Sequence, residues 1–183
     1  MLYNFSITEA KLLIDWQSAV DCAFLDKVLP LLTVLGNYSL LWLAVAAIML
    51  FFPAYRRCSL AIFLALLFCL LAGSLCLKPL IDRPRPFEVE STILLLISAP
   101  ADASFPSGHT MHSVAAATVI FCTNRRLGIA ALIVALLIAF SRFYLLVHYP
   151  TDILAGMALG FCLGLAAWKS SCVIIHKLGK PCA

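Results

Sequence analysis

Charge is what this chain has little of. Of its 183 residues, only 12% are Asp, Glu, Lys or Arg, against about a quarter in a soluble domain. So few charged side chains cannot cover a globule of this size in water. The hydrophobic share of 63% and a mean hydropathy of +1.03 exclude disorder and coiled coil as well. The net charge of +4 is too small and too scattered for a nucleic-acid surface. No CxxC pair occurs among the eight cysteines, Cys22, Cys58, Cys69, Cys76, Cys122, Cys162, Cys172 and Cys182. They are expected to act as small apolar side chains packed between helices, not as metal ligands or redox centres. The first residues lack the basic start, apolar core and cleavage site of a secretory signal. The length suits one helical membrane domain over 1–183, without a second folded unit.

What the chain does have is long uncharged runs. Residues 31–52 can cross about 30 Å of hydrocarbon, and 58–77 form a second such run that Lys78 stops. A third run starts at Ser107 and ends at Thr123, a fourth covers Leu127 to Val147, and a fifth begins at Thr151 and extends to about Val173. Gly156, Gly160 and Gly164 lie four apart in that last run, a spacing that lets another helix approach closely. Residues 1–30 differ: Leu12, Leu13, Trp16, Ala19, Val20, Ala23 and Phe24 recur at helical spacing among Glu9, Lys11, Asp15, Asp21 and Asp26. That pattern predicts an amphipathic helix at the membrane surface. The expected fold is therefore an all-α integral membrane bundle of about five spans plus this N-terminal helix. Between the second and third spans, residues 78–106 hold seven charges and five prolines. They are expected to form an active-site loop with one short helix around Ile93 to Ile97.

Five spans put the N-terminal segment, the 78–106 loop and the turn at 148–152 on one face. Arg56, Arg57, Arg125, Arg126, Lys169, Lys177 and Lys180 fall on the other, with no acid beside them. By the positive-inside rule, that second face is cytoplasmic and the loop face looks outward.

Three clusters converge on the outward face, where charge near the membrane is costly and marks function. In the first, Lys78 ends a helix, and Arg83 and Arg85 follow among prolines that stiffen the backbone. Arg offers phosphate a planar fork and Lys a point charge, although cations at such a boundary also occur as snorkelling anchors. In the second, Phe105-Pro106-Ser107-Gly108-His109 opens a helix. Free N–H groups, the positive end of the dipole, the Ser107 hydroxyl and the bare Gly108 backbone make a phosphate cradle. His109 is placed for proton transfer, and His112, one turn on, reads as structural. In the third, Arg142 lies in an apolar helix and needs an anionic partner, while His148 and Asp152 flank the turn at Tyr149-Pro150. A carboxylate on one ring nitrogen fixes the tautomer and makes the other a better nucleophile or base.

Together these clusters resemble the signature of the type 2 phosphatidic acid phosphatase superfamily. Lys78 is followed by six residues and Arg85-Pro86, then come Pro106-Ser107-Gly108-His109, then Ser141-Arg142, five residues, His148, three residues and Asp152. Every signature position is matched, and the spacing selects Arg85 over Arg83. The resemblance implies a phosphohistidine on His148, oriented by Asp152. It further implies His109 as the proton donor and water activator, and Lys78, Arg85, Ser107, Gly108 and Arg142 as phosphate ligands. It implies no metal and no cofactor, and no group of Asp, Glu and His here has metal-ligand spacing. The implied partner is a membrane lipid carrying phosphate or pyrophosphate. The small bacterial members suggest undecaprenyl pyrophosphate, hydrolysed outside the cytoplasmic membrane to recycle the carrier for cell-wall synthesis. Phosphatidylglycerophosphate, phosphatidate and lipid A are alternative substrates, and a phosphotransferase could use the same residues. A non-catalytic transporter would have no use for both histidines and Asp152.

Overall fold

A computed structural model describes residues 2–20 and 22–177, with side chains described from Ser6 onward in those ranges. Asp21, Lys180 and Cys182 lie outside the described residues. Helix α1 (Leu2–Val20) precedes α2 (Ala23–Val34), a 3₁₀ turn at Asn37–Ser39, α3 (Leu40–Leu50) and a second 3₁₀ turn at Pro53–Tyr55. Then come α4 (Arg56–Cys69), a π-helical stretch at Leu70–Leu77, α5 (Lys78–Ile81) and α6 (Pro86–Val89). The last three helices are α7 (Gly108–Thr123), α8 (Arg125–Tyr144) and α9 (Pro150–Lys177). Among the described residues there is no strand.

Three helical stretches, Pro53–Val89, α8 and α9, are long and apolar enough to cross a membrane, and the bent pair α2–α3 makes a fourth. The first expected span is thus broken rather than continuous. Tyr38 and Ser39 adopt left-handed φ of 51° and 57°, which no helix can continue, and the two halves meet at 49°. The third expected span, α7, has 16 residues, and ten of them are buried. It is shorter than the roughly 20 residues that span hydrocarbon, and the other helices enclose it.

The glycines of α9 explain how tightly. A Cβ built on Gly156 would lie 2.8 Å from Ser107 O, one on Gly160 2.4 Å from Met111 O, and one on Gly164 2.7 Å from Ala115 O. Backbone meets backbone along both helices, four residues apart on each. Around this pair the core gathers Trp42, Ile62, Leu66, Met111, Val119 and Ile138. Two polar pairs are matched inside it: Trp42 Nε1 donates to Ser113 Oγ at 2.9 Å, and Ser59 Oγ to Ala46 O at 2.7 Å.

Two expectations are corrected. No helix forms at 93–97; the short helix is α6. Pro86 takes its first position and the Glu88 carboxylate accepts the Arg85 N–H at 2.6 Å, which favours a start there. Five apolar residues alone do not nucleate a helix, and Leu95 and Ile97 pack instead on the cluster of Leu29, Tyr144, Leu145 and Val147. The cysteine expectation holds for Cys58 and Cys69 but not for Cys22, Cys76 and Cys162, which are exposed, nor for Cys172. Cys58 and Cys69 are buried free thiols, and Cys22, Cys76, Cys122 and Cys162 are also free, but Cys172 is disulfide-bonded.

Helix α1 docks by a mixed face. Ser6, Glu9, Ala10 and Leu13 are buried, and Trp16 packs on Phe143 with ring centroids 4.4 Å apart. Of the expected apolar stripe, Leu12 is exposed, and Ala23 and Phe24 open α2.

Candidate active site

The three clusters meet in one cavity of about 1240 Å³, lined by Lys78, Arg85, Gly108, His109, Arg142 and His148 at its polar end. The opposite wall is apolar, with Leu31, Val34, Leu70, Leu95 and Leu96. Ser107 and Asp152 sit directly behind the lining, and both are fully buried.

Lys78 stands where the π-helical stretch passes into α5, and π geometry is frequent at functional sites. Its Nζ is paired with the Asp102 carboxylate and donates to Ala103 O at 3.0 Å. Asp82, at φ 42°, then ends α5 and turns the chain into the proline-rich stretch. Arg85 is fully engaged there. Its Nε donates to Asp102 O at 2.7 Å, Nη2 to Asp102 Oδ1 at 2.7 Å and Nη1 to Val147 O at 2.6 Å. Nη1 also lies 3.4 Å from His148 Nε2. Arg83 points the other way, away from the cavity, and bonds Asp152 from behind at 2.6 Å. Of the two arginines, then, Arg85 lines the cavity and Arg83 does not.

Ser107 caps α7 from an extended backbone and its N–H donates to Asp152 O at 3.1 Å. A Cβ on Gly108 would meet nothing within 4 Å, so the bare backbone faces open cavity. His109 Nε2 lies 2.9 Å from Asn37 Oδ1, and a Cβ on Gly36 would fall 2.5 Å from its Cδ2. The break between α2 and α3 is therefore the seat of this imidazole. His112 lines the cavity too, but its Nδ1 lies 2.8 Å from Gly108 O, one turn back in its own helix. Arg142 was expected to have an anionic partner. Its hydrogen bond goes to a hydroxyl instead, from Nη1 to Thr33 Oγ1 at 2.8 Å, and its buried Nε has no partner.

His148 lies fully buried between α8 and α9, with Nε2 toward Arg85 and Nδ1 toward Asp152. The Nδ1 to Oδ2 distance is 3.5 Å, long for a hydrogen bond, because that oxygen already accepts from Ser104 Oγ at 2.5 Å and Tyr149 N at 3.0 Å. Burial first, then Arg85, Arg142 and Lys78, hold the His148 pKa well below the ordinary histidine value. The ring is neutral at neutral pH, with a lone pair free on one nitrogen. For Asp102, burial alone would raise the pKa, but hydrogen bonds and charge from Lys78 and Arg85 prevail and bring it to about 2.

Sequence reasoning missed Asp102, Asn37, Thr33, Ser104 and Glu9. Asp102 alone carried a signal, as an acid four residues before Pro106. The chemistry available is a cluster of three cations and a helix N-terminus around a neutral, buried imidazole, at the end of a cavity with one greasy wall. Such a cluster can hold an anion of high charge and let a nitrogen attack it.

Similar proteins are known. Residues 58–172 match the model of the PAP2 superfamily. An undecaprenyl-diphosphatase of Sulfolobus acidocaldarius is 32% identical over 120 residues, 65% of this chain and 58% of that protein. Undecaprenyl-diphosphatase BcrC of Bacillus subtilis is 39% identical over 89 residues, 49% of this chain and 46% of that protein. The chain thus spans about half the length of these relatives. The fold is that of a transmembrane PAP2-type phosphatidylglycerolphosphate phosphatase from Bacillus subtilis, with TM-score 0.72 at 24% identity over 94% of this chain and 95% of that one. With the family's model matched over 115 of the 183 residues, and its signature gathered around one cavity, the chain belongs to the PAP2 superfamily.

Proposed function

We propose that this chain is an integral membrane lipid phosphatase working through a phosphohistidine, with undecaprenyl pyrophosphate as its substrate. The observation that carries the reading is His148: a buried neutral imidazole whose Nε2 faces Arg85 at the polar end of a cavity with an apolar wall. The lipid's phosphate binds to Lys78, Arg85, Arg142, the Ser107 hydroxyl and the Gly108 N–H. These spread the charge on the three equatorial oxygens, as phosphoryl transfer requires. His148 Nε2 attacks phosphorus and the bond to the leaving oxygen breaks. That oxygen takes its proton from His109. Asp152, with Oδ2 3.5 Å from His148 Nδ1, closes on that N–H and steadies the positive charge that grows on the ring. A water then attacks the phosphohistidine, His109 takes its proton, and orthophosphate leaves with the His148 lone pair restored. No metal enters these steps. The apolar wall suits the first units of a lipid tail, and the relatives named as undecaprenyl-diphosphatases favour that lipid.

We read residues 1–183 as one domain with 78–106 as its active-site loop, facing outward across the cytoplasmic membrane. Single cysteines at Glu90 and Arg126 in intact cells would test this, since an outward loop requires labelling by an impermeant reagent at 90 and not at 126. The activity is tested by phosphate release from the purified protein in EDTA. Undecaprenyl pyrophosphate, phosphatidylglycerophosphate and phosphatidate are compared, with His148→Ala as control. Release that the variant lacks, fastest with undecaprenyl pyrophosphate, is expected. Equal release by the variant, or none from any lipid, would refute the reading.

A further inference from the structure

Behind Asp152, on the side away from the cavity, lies a buried charge network that the reaction above does not use. Arg83 is 4% exposed and Glu9 8%. Arg83 Nη1 donates to Asp152 Oδ1 at 2.6 Å and to Thr151 Oγ1 at 2.7 Å, and Nε donates to Ser6 Oγ at 3.1 Å. Its Nη2 pairs with Glu9 Oε2, which also accepts from Thr151 Oγ1 at 2.9 Å. The guanidinium lies 3.9 Å over the Tyr149 ring.

We propose that Arg83 and Glu9 are positioning residues for Asp152, so that helix α1 is a working part of the active site as well as its anchor. The inference rests on the proposed function, with His148 as nucleophile. Arg83, Glu9, Ser6 and Thr151 do not line the cavity, so they reach the reacting atoms only through Asp152. Arg83 fixes Oδ1, Ser104 and Tyr149 N–H fix Oδ2, and the carboxylate cannot rotate. Oδ2 is thereby held toward His148 Nδ1. One guanidinium serves two carboxylates, and Glu9 sets what share of its charge reaches Asp152. A buried pair is costly to break because the remaining charge is stranded. Removing either partner therefore changes the field at His148 as well as the packing of α1.

The test uses the full chain in detergent with undecaprenyl pyrophosphate, comparing Glu9→Gln, Arg83→Gln, Arg83→Lys and Asp152→Asn. Arg83→Gln is expected to lower kcat roughly 10- to 100-fold, as a misplaced catalytic group does. KM should hold, because no phosphate contact is lost. Arg83→Lys should recover part of kcat. The pH profile separates positioning from mere support of the fold. His148 also faces Arg85, Arg142, Lys78, Asp102 and His109, and all of these are common to every variant. Arg83→Gln leaves Asp152 uncompensated and favours the imidazolium, so the acid limb of kcat/KM moves to higher pH. Glu9→Gln gives Arg83 wholly to Asp152, and the limb moves to lower pH. In an Asp152→Asn background, Glu9→Gln should have no further effect on kcat.

Limbs that shift together, a raised KM at unchanged kcat, or an equal Glu9→Gln effect in both backgrounds would overturn the inference. If Arg83→Gln does not fold, Glu9→Gln and the two-background comparison still decide. A His148→Ala variant as active as the parent would instead overturn the proposed function itself, whereas a dead His148→Ala beside silent Glu9 and Arg83 variants would sink this inference alone.

Discussion

Asp102→Asn offers the sharpest test of how the cavity receives phosphate. The Asp102 carboxylate sits on Lys78 and Arg85, two of the cations assigned to the substrate. An incoming phosphate has to displace it, and its 59% exposed side chain can swing aside. Its pKa falls from 3.8 to about 2, a shift that in a dry site would correspond to about 2.5 kcal/mol of attraction. Solvent screening at such exposure reduces this to about 1 kcal/mol. The folded value lies below the unfolded one, so this contribution is complete above pH 4 or so and is lost as pH falls through about 2. At working pH, then, Asp102 competes with substrate at full strength. Removing its charge should lower KM, and the inhibition constant of inorganic phosphate, about fivefold. The ratio to the parent should stay constant between roughly pH 5 and 9, where Asp102 does not titrate. The cost is the same ~1 kcal/mol of folding stability, read as a lower Tm in detergent. Steady-state kinetics with added phosphate would decide. A KM that rises or stays put would mean the carboxylate organises the cations without competing for them, and the reasoning would fail.

Two glycines should answer differently in unfolding. Gly160→Ala puts a methyl 2.4 Å from Met111 O and should cost about 1–3 kcal/mol, seen in thermal unfolding, whereas Gly108→Ala enters open cavity and should spare Tm while lowering kcat/KM. Because His148 is held neutral by burial and three cations, the acid limb of kcat/KM should lie below the ordinary histidine pKa; a limb at or above it would refute this. By linkage the same group should make the fold less stable as pH drops below its unfolded pKa, since the unfolded chain then binds the proton that the native one refuses. Trp42→Phe leaves Ser113 Oγ without its donor in the core and should cost about 1–3 kcal/mol in the same unfolding assay.

Much of this molecule was legible before its coordinates. Helical runs follow from hydropathy, and the close approach of some other helix to α9 follows from three glycines four apart, because both depend on local periodicity. The cavity-lining cations and histidines were legible for another reason: each sits at the mouth of a helix, where an isolated charge has no structural excuse. What escaped reading depends on pairing across the chain. Glu9 looked like one acid of an amphipathic stripe, and only the fold brings it to Arg83, 74 residues on. Asn37 is an ordinary polar residue until the chain breaks there and His109 arrives. Thr33 is an ordinary hydroxyl in an apolar helix until the fold brings it to Arg142, 109 residues on, where it holds one arm of the guanidinium.

The glycine seam between α7 and α9 has a consequence for tuning. His109 opens one of these helices and His148 stands just before the other, with the Ser107 N–H tied to Asp152 O across the gap at 3.1 Å. The spacing of the two helices is therefore gauged by backbone contact at each glycine, with Thr110, Val114 and Thr118 close beside it. Drift elsewhere in the bundle, even among lipid-facing residues, leaves that gauge untouched. A single methyl at Gly156, Gly160 or Gly164 would reset it from a distance, turning a packing position into a control on catalysis.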